Sequence, residues 1–508
     1  MKGPRKSFFV QLRLRHPVVY DFVSMAFYVL FVYGLGLGIS PLGRDYATLA
    51  EPFRHLPRFS ALVLAAEIEH FGDNVVLYHL LNLALLYGCM LFLSVLSARL
   101  FRAPFWLGTL TATLFMANPA YGEAVLNVTG ISDLLPCFWG LLAITVICLG
   151  KSPKPVFKVL VEIILLLVAS IPFPTNALLP WVAVVAEYGL RKPNERRPFR
   201  LIGYSLCGLF STLFHSRFVF LTGGTLIDRF APLYFLFYPL GLLPKTAYAL
   251  HEHAWLGWIS ALVILAVIVG IARKTQNKIF LFGIMACGIV RAAGSVRQID
   301  PVHLIGAGQL LLPSAFYHLG LIGLISRMME NPKWRVTLTS ATTIWCVVYF
   351  AIQINQVVIW RQASKYVEGF KKECNQAASV APDQEIVICP DFLYYRGAPV
   401  CLSEAISYDT PFSNRVRWTN LLVMNYFPVR QMKWKIENWS EREAQIVVSG
   451  VRPVDVACAP DFALAKRNQP VKTVGGEAEL VDVSADRFRL MVHFSRPLRR
   501  DAVLPSEP

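Results

Sequence analysis

Long apolar segments alternate with short polar segments over roughly the first 360 residues of the chain. A helix that crosses a bilayer needs about 20 mostly apolar residues. About 11 windows approach this length and composition. They lie near residues 17–39, 75–97, 104–118, 131–150, 156–171, 176–190, 199–221, 254–272, 279–296, 306–326 and 336–358. The pattern predicts an α-helical polytopic membrane protein with about 11 transmembrane helices.

The composition changes from about Asn355 onward. Residues 360–508 are more polar and contain short strand-like segments such as EIVIC, AQIVVSG and FRLMVHF. Alternation of apolar and polar residues in such segments favours β-structure. We therefore predict a transmembrane domain over residues 1–360 and a small α/β or mostly β soluble domain over residues 361–508.

The basic residues between the apolar windows predict the orientation of the chain. Loops on the side of the N-terminus hold about 19 Lys and Arg, whereas loops on the other side hold about 6. Short cytoplasmic loops are enriched in Lys and Arg, so the N-terminus is predicted to be cytoplasmic. An odd number of helices then makes the C-terminal domain extracytoplasmic.

The overall composition agrees with a membrane protein. The chain is 55% hydrophobic and 16% charged, with a mean hydropathy of +0.48, whereas soluble domains carry about a quarter charged residues. The net charge of +16 resembles that of nucleic-acid-binding proteins. The cations lie mainly in short gaps between apolar windows, however, so we predict a lipid bilayer and no nucleic acid as partner. The ten Cys form no CxxC pair, and a zinc site is not predicted.

Two acids stand out in the polar stretch 118–135, NPAYGEAVLNVTGISDLL. Glu123 and Asp133 lie between two apolar windows, and this stretch contains no Lys or Arg. A carboxylate at the edge of a bilayer is costly unless it is paired, hydrated or functional. We interpret this stretch as half of an active site and the loop that carries Asp45 as the other half. Asp45, Glu123 and Asp133 are the predicted catalytic residues.

Polar and cationic side chains are predicted to gather at the same outer face and bind substrate. They are Arg44, Arg58, His79, Asn118, His215, Arg217, Lys245, Arg297 and His303. Cations at such a face suit a lipid-linked phosphate that departs as a leaving group. A neighbouring carboxylate suits the general base that takes a proton from an incoming hydroxyl.

Simpler interpretations of these residues remain open. Asp45 is alternatively an ordinary loop acid beside Arg44, and Asp133 is alternatively the N-cap of the apolar helix that follows it. Glu123 is alternatively a capping or solvated loop residue. Arg217 alternatively extends to the membrane interface, and His79 is alternatively a packed helix residue.

Several of these stretches resemble, in the same order, the GT-C superfamily of polytopic glycosyltransferases, and in particular bacterial relatives of protein O-mannosyltransferases. They are RDY, FGDNVVLYHLLNLALLY, NPAYGEAVLNVTGISDLL, ASIPFPTNALLPWVAVVAEY, the Arg217 segment, APLYFLFYPLGLL and LLLPS at 310–314. The resemblance covers roughly residues 15–360. It implies a GT-C-like fold in the bacterial inner (cytoplasmic) membrane.

The resemblance also implies a reaction. The family inverts the sugar as it moves it from a polyprenyl-phosphate donor to a protein or glycan acceptor hydroxyl, and the acid of its first outer loop, here Asp45, is its usual base. The chain departs from the family at Asn118, where the family has His, and at Gly308 and Gln309, where it has Arg-Tyr. It also lacks a second acid adjacent to Asp45. No cofactor is predicted, and a divalent metal is left uncommitted because metal dependence varies across the superfamily.

Two other functions compete with the transferase. A transporter or flippase of lipid-linked saccharides more often places ionisable groups at the bilayer midplane and shows repeat symmetry. A membrane scaffold that presents the C-terminal domain predicts that the loop acids can be replaced freely.

Overall fold

A computed structural model describes residues 16–43, 45–102, 105–149, 155–216, 277–293 and 307–380, the single residues 266 and 270, and a series of strand segments between residues 386 and 505. Up to residue 380, the described residues are mostly helical. The helices in the described ranges are α1 Pro17–Tyr33, α2 Asp45–Ala50, α3 Pro52–His55, α4 Arg58–Phe71, α5 Val75–Phe101, α6 Phe105–Ala117, α7 Gly122–Leu126, α8 Ile131–Leu149, α9 Pro155–Ser170, α10 Leu179–Gly189, α11 Pro198–Phe214, α12 Lys278–Ala293, α13 Leu311–Met329 and α14 Pro332–Val380.

Several connections between these helices are themselves helical. Short 3₁₀ turns cover Gly34–Gly36, Pro119–Tyr121, Val128–Gly130, Pro174–Asn176, Pro193–Glu195 and Ala307–Leu310. Three of these turns begin with proline, whose fixed φ favours the first position of a helical turn. The predicted outer loop 119–130 is therefore a series of tight helical turns.

After α14, the described segments are almost all strands. They are β1 Ile386–Cys389, β2 Tyr394–Tyr395, β3 Ala398–Pro399, β4 Val416–Trp418, β5 Leu421–Met424, β6 Phe427–Trp439, β7 Glu443–Arg452, β8 Asp455–Cys458, β9 Ala463–Leu464, β10 Val471–Thr473, β11 Gly476–Val483, β12 Arg487–Phe494 and β13 Val503–Pro505. An antiparallel sheet has the order β10-β11-β12-β7-β6, and β1 pairs in parallel with β13 and β4. Ala444, Ile446 and Val492 on the antiparallel sheet are buried, which fits alternation of core and solvent residues along a strand.

Five helical segments in the described ranges are long and apolar enough to cross a membrane. They are Val18–Gly36, Val75–Phe101, Val128–Leu149, Gly308–Met329 and Pro332–Lys372, and Phe105–Ala117 is a shorter apolar helix. The chain is therefore a membrane protein with several candidate spans.

The predicted total of about 11 spans stays a prediction. Within the described residues, the windows 156–171, 176–190, 199–221 and 279–296 hold helices of 16, 11, 17 and 16 residues, shorter than the roughly 20 residues of a usual span. The window 254–272 lies outside the described residues except for 266 and 270. Orientation relative to the membrane likewise stays a prediction.

The chain divides into two compact units. The first contains Met1–Leu37 and His55–Val357, and the second contains Gly38–Arg54 and Val358–Pro508. The polar segment after α1 thus belongs to the same unit as the C-terminal strands. The predicted division into domains at residue 360 stays a prediction.

Helix α13 is the most enclosed of the candidate spans, with 83% of its apolar window buried inside the protein. It packs against α12 where two glycines meet. A Cβ on Gly283 would lie 2.6 Å from the Cα of Gly320 and 2.6 Å from the carbonyl oxygen of Phe316. Small residues at such crossings let helix backbones approach closely in membranes, so α12 and α13 pack backbone to backbone at this point.

Candidate functional site

Asp45 is the first residue of α2 and is almost completely buried, with 1% of its surface exposed. Its backbone amide donates to the carbonyl of Leu42 at 3.1 Å, and the amide of Leu42 donates to the Asp45 Oδ2 at 3.4 Å. These reciprocal bonds set the direction of the carboxylate at the start of the helix. A carboxylate is favoured in the first turn of a helix, where the backbone amides point toward it.

The segment around Asp45 is attached to the polar half of α14 within the same unit. The amide of Ser40 donates to the Ser364 Oγ at 2.9 Å, and the Ser40 hydroxyl contacts the Glu368 carboxylate. The Lys371 ammonium lies 4.6 Å from the centre of the Tyr46 ring, within the range of a cation–π interaction. Asp45 is therefore part of a packed structure and does not lie in an open loop.

Asp133 lies in the first turn of α8, which begins two residues earlier at Ile131. It is therefore not the N-cap, and the capping alternative is wrong for this residue. The turn Ala307–Leu310 packs against its carboxylate, because a Cβ added to Gly308 would overlap the Asp133 Oδ2. Residue 308 must consequently be glycine for this acid to keep its place.

Arg291 reaches the next residue of the same turn. It lies in the last turn of α12, is 1% exposed, and its Nη1 donates to the Gln309 Oε1 at 2.8 Å. Gly308 and Gln309 are adjacent in the chain, so this turn links a buried guanidinium with the Asp133 carboxylate. The Arg291 cation therefore lies next to residues 308 and 309, where the GT-C glycosyltransferases have Arg-Tyr.

Glu123 lies in α7 and is held by neighbours from the same stretch. The Asn127 Nδ2 donates to the Glu123 Oε1 at 3.4 Å, and the Asn82 Nδ2 of α5 donates to the Asn127 carbonyl at 2.8 Å. Asn118 is fully buried, and its Oδ1 accepts from the Ala120 amide at 2.9 Å, which caps the Pro119–Tyr121 turn. Side-chain amides therefore fix the stretch 118–130 against α5.

The other predicted substrate-binding residues have diverse surroundings. His79 is 3% exposed within α5, and Arg58 is exposed at the start of α4. The His215 Nε2 lies 3.0 Å from the carbonyl oxygens of Ser170 and Ile171, which ties the end of α11 to the end of α9. Arg44, Arg217, Lys245, Arg297 and His303 lie outside the described residues.

The predicted residues thus fall into two groups. Asn118, Glu123 and Asp133 belong to one stretch of the first unit, whereas Asp45 belongs to the second unit. A common site for Asp45, Glu123 and Arg217 stays a prediction.

A buried cluster of charges that was not predicted from the sequence joins α9, α10 and α11. Arg200 is 1% exposed, and its Nη2 lies 3.0 Å from the Glu162 Oε1 while its Nη1 lies 3.5 Å from the Glu187 Oε2. Lys158 pairs with Glu162 at 3.5 Å, and Arg191 pairs with Glu187 at 2.7 Å. Both outer pairs have i, i+4 spacing, a signal that is readable from sequence. Arg200 pairs with both carboxylates only because three helices meet. No local sequence pattern therefore predicts its position at the centre of the cluster.

Glu67 is a buried acid that is not among the predicted site residues. It shares one face of α4 with buried Ser60, Ala61 and Leu64. It is 5% exposed, and its Oε1 has no hydrogen-bond partner among the described residues. Burial raises the pKa of this carboxyl from 4.5 to about 7, because an apolar environment disfavours the charged form.

Replacing Glu67 with glutamine is therefore expected to raise the melting temperature at pH 8. The folded-state pKa of about 7 lies above the ordinary 4.5, so the protonated acid contributes stability that is complete below pH 4.5 and lost as the pH rises through 7. The gain corresponds to at most about 3 kcal/mol at pH 8 and should vanish toward pH 4.5. Thermal unfolding in detergent across this pH range measures it.

Glu69→Gln is the matched control, because Glu69 is exposed on the same helix and should show no such pH-dependent gain. An equal change in melting temperature for both variants at every pH would contradict the assignment of the effect to burial of Glu67.

No group of three or more His, Cys, Asp or Glu side chains suited to a metal ion occurs in the described ranges. No family model matches the chain, and neither a curated protein nor a solved structure is similar to it. Membership of the GT-C superfamily therefore stays a prediction from short sequence motifs.

Proposed function

We propose that this protein is a membrane glycosyltransferase that moves a sugar from a polyprenyl-phosphate donor to an acceptor hydroxyl on the extracytoplasmic face. The observation that carries the proposal is the turn at residues 307–310, which joins the Asp133 carboxylate at Gly308 to the buried Arg291 guanidinium at Gln309. A carboxylate and a guanidinium therefore lie at one turn beside the motif stretch 118–135. A guanidinium can bind the phosphate of a sugar phosphate, and a carboxylate can accept hydrogen bonds from its hydroxyl groups.

In this proposal Arg291 takes the place of the arginine that the family has before Leu-Pro-Ser. Its guanidinium interacts with the donor phosphate and stabilises the negative charge that grows as the sugar–phosphate bond breaks. Asp133 and Glu123 accept hydrogen bonds from sugar or acceptor hydroxyls. Burial of Arg291 supports this role, because electrostatic interactions are stronger where water is excluded.

Asp45 is the proposed general base. Its carboxylate takes the proton of the acceptor hydroxyl, the oxygen attacks the anomeric carbon from the face opposite the phosphate, and polyprenyl phosphate departs. This displacement inverts the anomeric configuration. The burial of Asp45 and its fixed orientation at the start of α2 support the assignment, because a general base must be positioned before it is effective.

A transporter or flippase of lipid-linked saccharides is the second candidate. The charge cluster around Arg200 favours it, because buried ionisable residues between membrane helices often mark transport pathways. The cluster is internally paired, with two carboxylates opposite three cations. Such pairing also suits a purely structural role, so we place the transferase first.

One experiment separates the two functions. Detergent-purified protein receives a polyprenyl-phosphate sugar and a panel of Ser- and Thr-containing peptides and short glycans, and sugar transfer is measured. The same preparation in proteoliposomes is tested for movement of the intact donor between leaflets. The transferase should modify an acceptor in detergent, where no leaflets exist. Translocation in vesicles without transfer in detergent would establish the transporter instead.

A further inference from the structure

The side-chain amide of Gln353 has no hydrogen-bond partner within the described part of the chain. Gln353 lies in α14, within a candidate membrane span, and is fully buried. Both its Oε1 and its Nε2 are enclosed and unsatisfied. Burial of an amide without hydrogen bonds costs about 2–7 kcal/mol relative to water. Such a group is therefore retained for a reason other than stability of the protein alone.

Gln353 faces the interior of the first unit. Trp345 and Gln353 are eight residues apart, with Tyr349 between them, so all three share one face of α14. The Trp345 ring stacks on His318 of α13, with ring centres 6.1 Å apart, and Tyr349 is fully buried. This face is consequently turned toward protein and away from lipid.

The amide touches the stretch that carries the candidate acids. A Cβ on Gly122 would lie 2.8 Å from the Gln353 Nε2 and 2.6 Å from the Gln356 Oε1. Gly122 directly precedes Glu123. Residue 122 has no side chain, and the amides of α14 occupy the space beside its backbone.

A second unsatisfied amide occurs in the same stretch, four residues earlier. The Asn118 Oδ1 caps the turn that leads to Gly122, but its Nδ2 is buried without a hydrogen-bond partner among the described residues. Asn118 and Gln353 together offer two NH₂ groups and one carbonyl oxygen. Asn118 lies four residues before Gly122, whose backbone lies beside the Gln353 amide. A few polar groups inside apolar surroundings are typical of ligand binding.

The chemistry of these groups selects the ligand. A lipid tail would leave all three groups unsatisfied, and a phosphate oxygen, which only accepts, would satisfy the NH₂ groups but not the Gln353 Oε1. A sugar hydroxyl both donates and accepts, so it satisfies an amide oxygen and an amide NH₂ at once.

We propose that Gln353, together with Asn118, binds hydroxyl groups of the sugar on the lipid-linked donor and so selects the sugar. This inference rests on the proposed glycosyltransferase function and deepens it. Gln353 is a binding residue in this account, and the acids and Arg291 keep the roles assigned above.

The test compares binding of a donor with and without its sugar. The probes are short-chain polyprenyl phosphates that carry mannose, glucose, galactose or arabinose, and the same lipid phosphate without sugar. Binding to the detergent-purified full chain is measured for wild type, Gln353→Leu and the control Asn355→Leu. Asn355 is exposed on the same helix, so its replacement is the matched amide-to-leucine change.

We expect Gln353→Leu to bind the preferred sugar lipid about 10-fold more weakly, the effect of losing a pair of hydrogen bonds. Its affinity for the bare lipid phosphate should be unchanged, and Asn355→Leu should resemble wild type for both ligands. Because leucine removes an unsatisfied amide, Gln353→Leu should melt no lower than wild type. A purely structural amide predicts a lower melting temperature and unchanged sugar selectivity.

A glycine substitution provides a second, independent test. Gly122→Ala should push the α14 amides aside and weaken binding of the sugar lipid selectively. Gly288→Ala is its control, because no atom lies within 4 Å of a Cβ added there.

Three outcomes would overturn the inference alone: equal affinity of Gln353→Leu and wild type for the sugar lipid, equal weakening for lipids with and without sugar, or wild-type protein that binds the two lipids equally. Wild-type protein that binds neither lipid would overturn the proposed function as well as this inference.

Discussion

Replacement of Asp45 with asparagine is expected to lower the rate of sugar transfer by about two to four orders of magnitude, the usual effect of losing a general base. Asparagine has the shape of aspartate, and its Oδ1 can still accept the hydrogen bond that the Leu42 amide gives to the Asp45 carboxylate. The amide cannot take a proton at neutral pH. Folding and membrane insertion should therefore be preserved while the chemical step is lost.

The measurement is transfer from a polyprenyl-phosphate sugar by purified protein, with monodisperse elution as the check on folding. Glu51→Gln is the control, because Glu51 is an exposed acid of the same segment that pairs with Arg54, and it should retain activity. Glu123→Gln should be intermediate, since that acid orients groups in our account and does not take the proton. Near-full activity in Asp45→Asn would reject Asp45 as base and make Glu123 the leading candidate, and full activity in both variants would favour the transporter.

Replacement of Arg200 with methionine is expected to destabilise the protein by about 3–5 kcal/mol. The guanidinium is 2% exposed and lies between two fully buried carboxylates, Glu162 and Glu187. The Tyr204 hydroxyl also donates to the Glu162 Oε2 at 2.6 Å. Removal of Arg200 takes away the buried cation between these carboxylates and leaves them only Lys158 and Arg191, whose side chains are 12% and 25% exposed. A buried carboxylate that loses its buried partner is strongly unfavourable.

Thermal unfolding in detergent measures this effect, with Arg327→Met as the matched control. Arg327 pairs with Glu330 at the surface, where both side chains are more than half exposed, so its loss should change stability by less than about 1 kcal/mol. The triple variant Glu162→Gln, Glu187→Gln, Arg200→Met should recover part of the loss, because it removes every fully buried charge of the cluster and the remaining cations Lys158 and Arg191 are partly exposed. If Arg200→Met melted with the wild type, the cluster would not hold the three helices together.

The pattern of apolar residues predicted helices correctly where the apolar windows were long. Helices α5, α8 and α13 lie in windows whose apolar runs are long enough to span a bilayer. The first window was predicted to extend to residue 39, but α1 ends at Tyr33. Gly34, Gly36 and Gly38 follow it, and glycine costs about 1 kcal/mol in a helix interior relative to alanine.

The candidate site was predictable only in part. The acids of the stretch 118–135 were evident, because carboxylates between apolar windows are unusual. The contact of Arg291 with Gln309 joins residues 18 positions apart, and Gln353 meets Gly122 from another helix. Such contacts depend on helix packing, which periodicity does not encode.

Inverting sugar transfer with polyprenyl phosphate as the leaving group can be tested by analysis of the products. Detergent-purified wild-type protein is incubated with donor and acceptors, released polyprenyl phosphate is quantified against transferred sugar, and the anomeric configuration of the product is read by nuclear magnetic resonance. We predict one lipid phosphate released per sugar transferred, and a product of inverted configuration. An intact donor with no lipid phosphate released, or a product of retained configuration, would contradict the account.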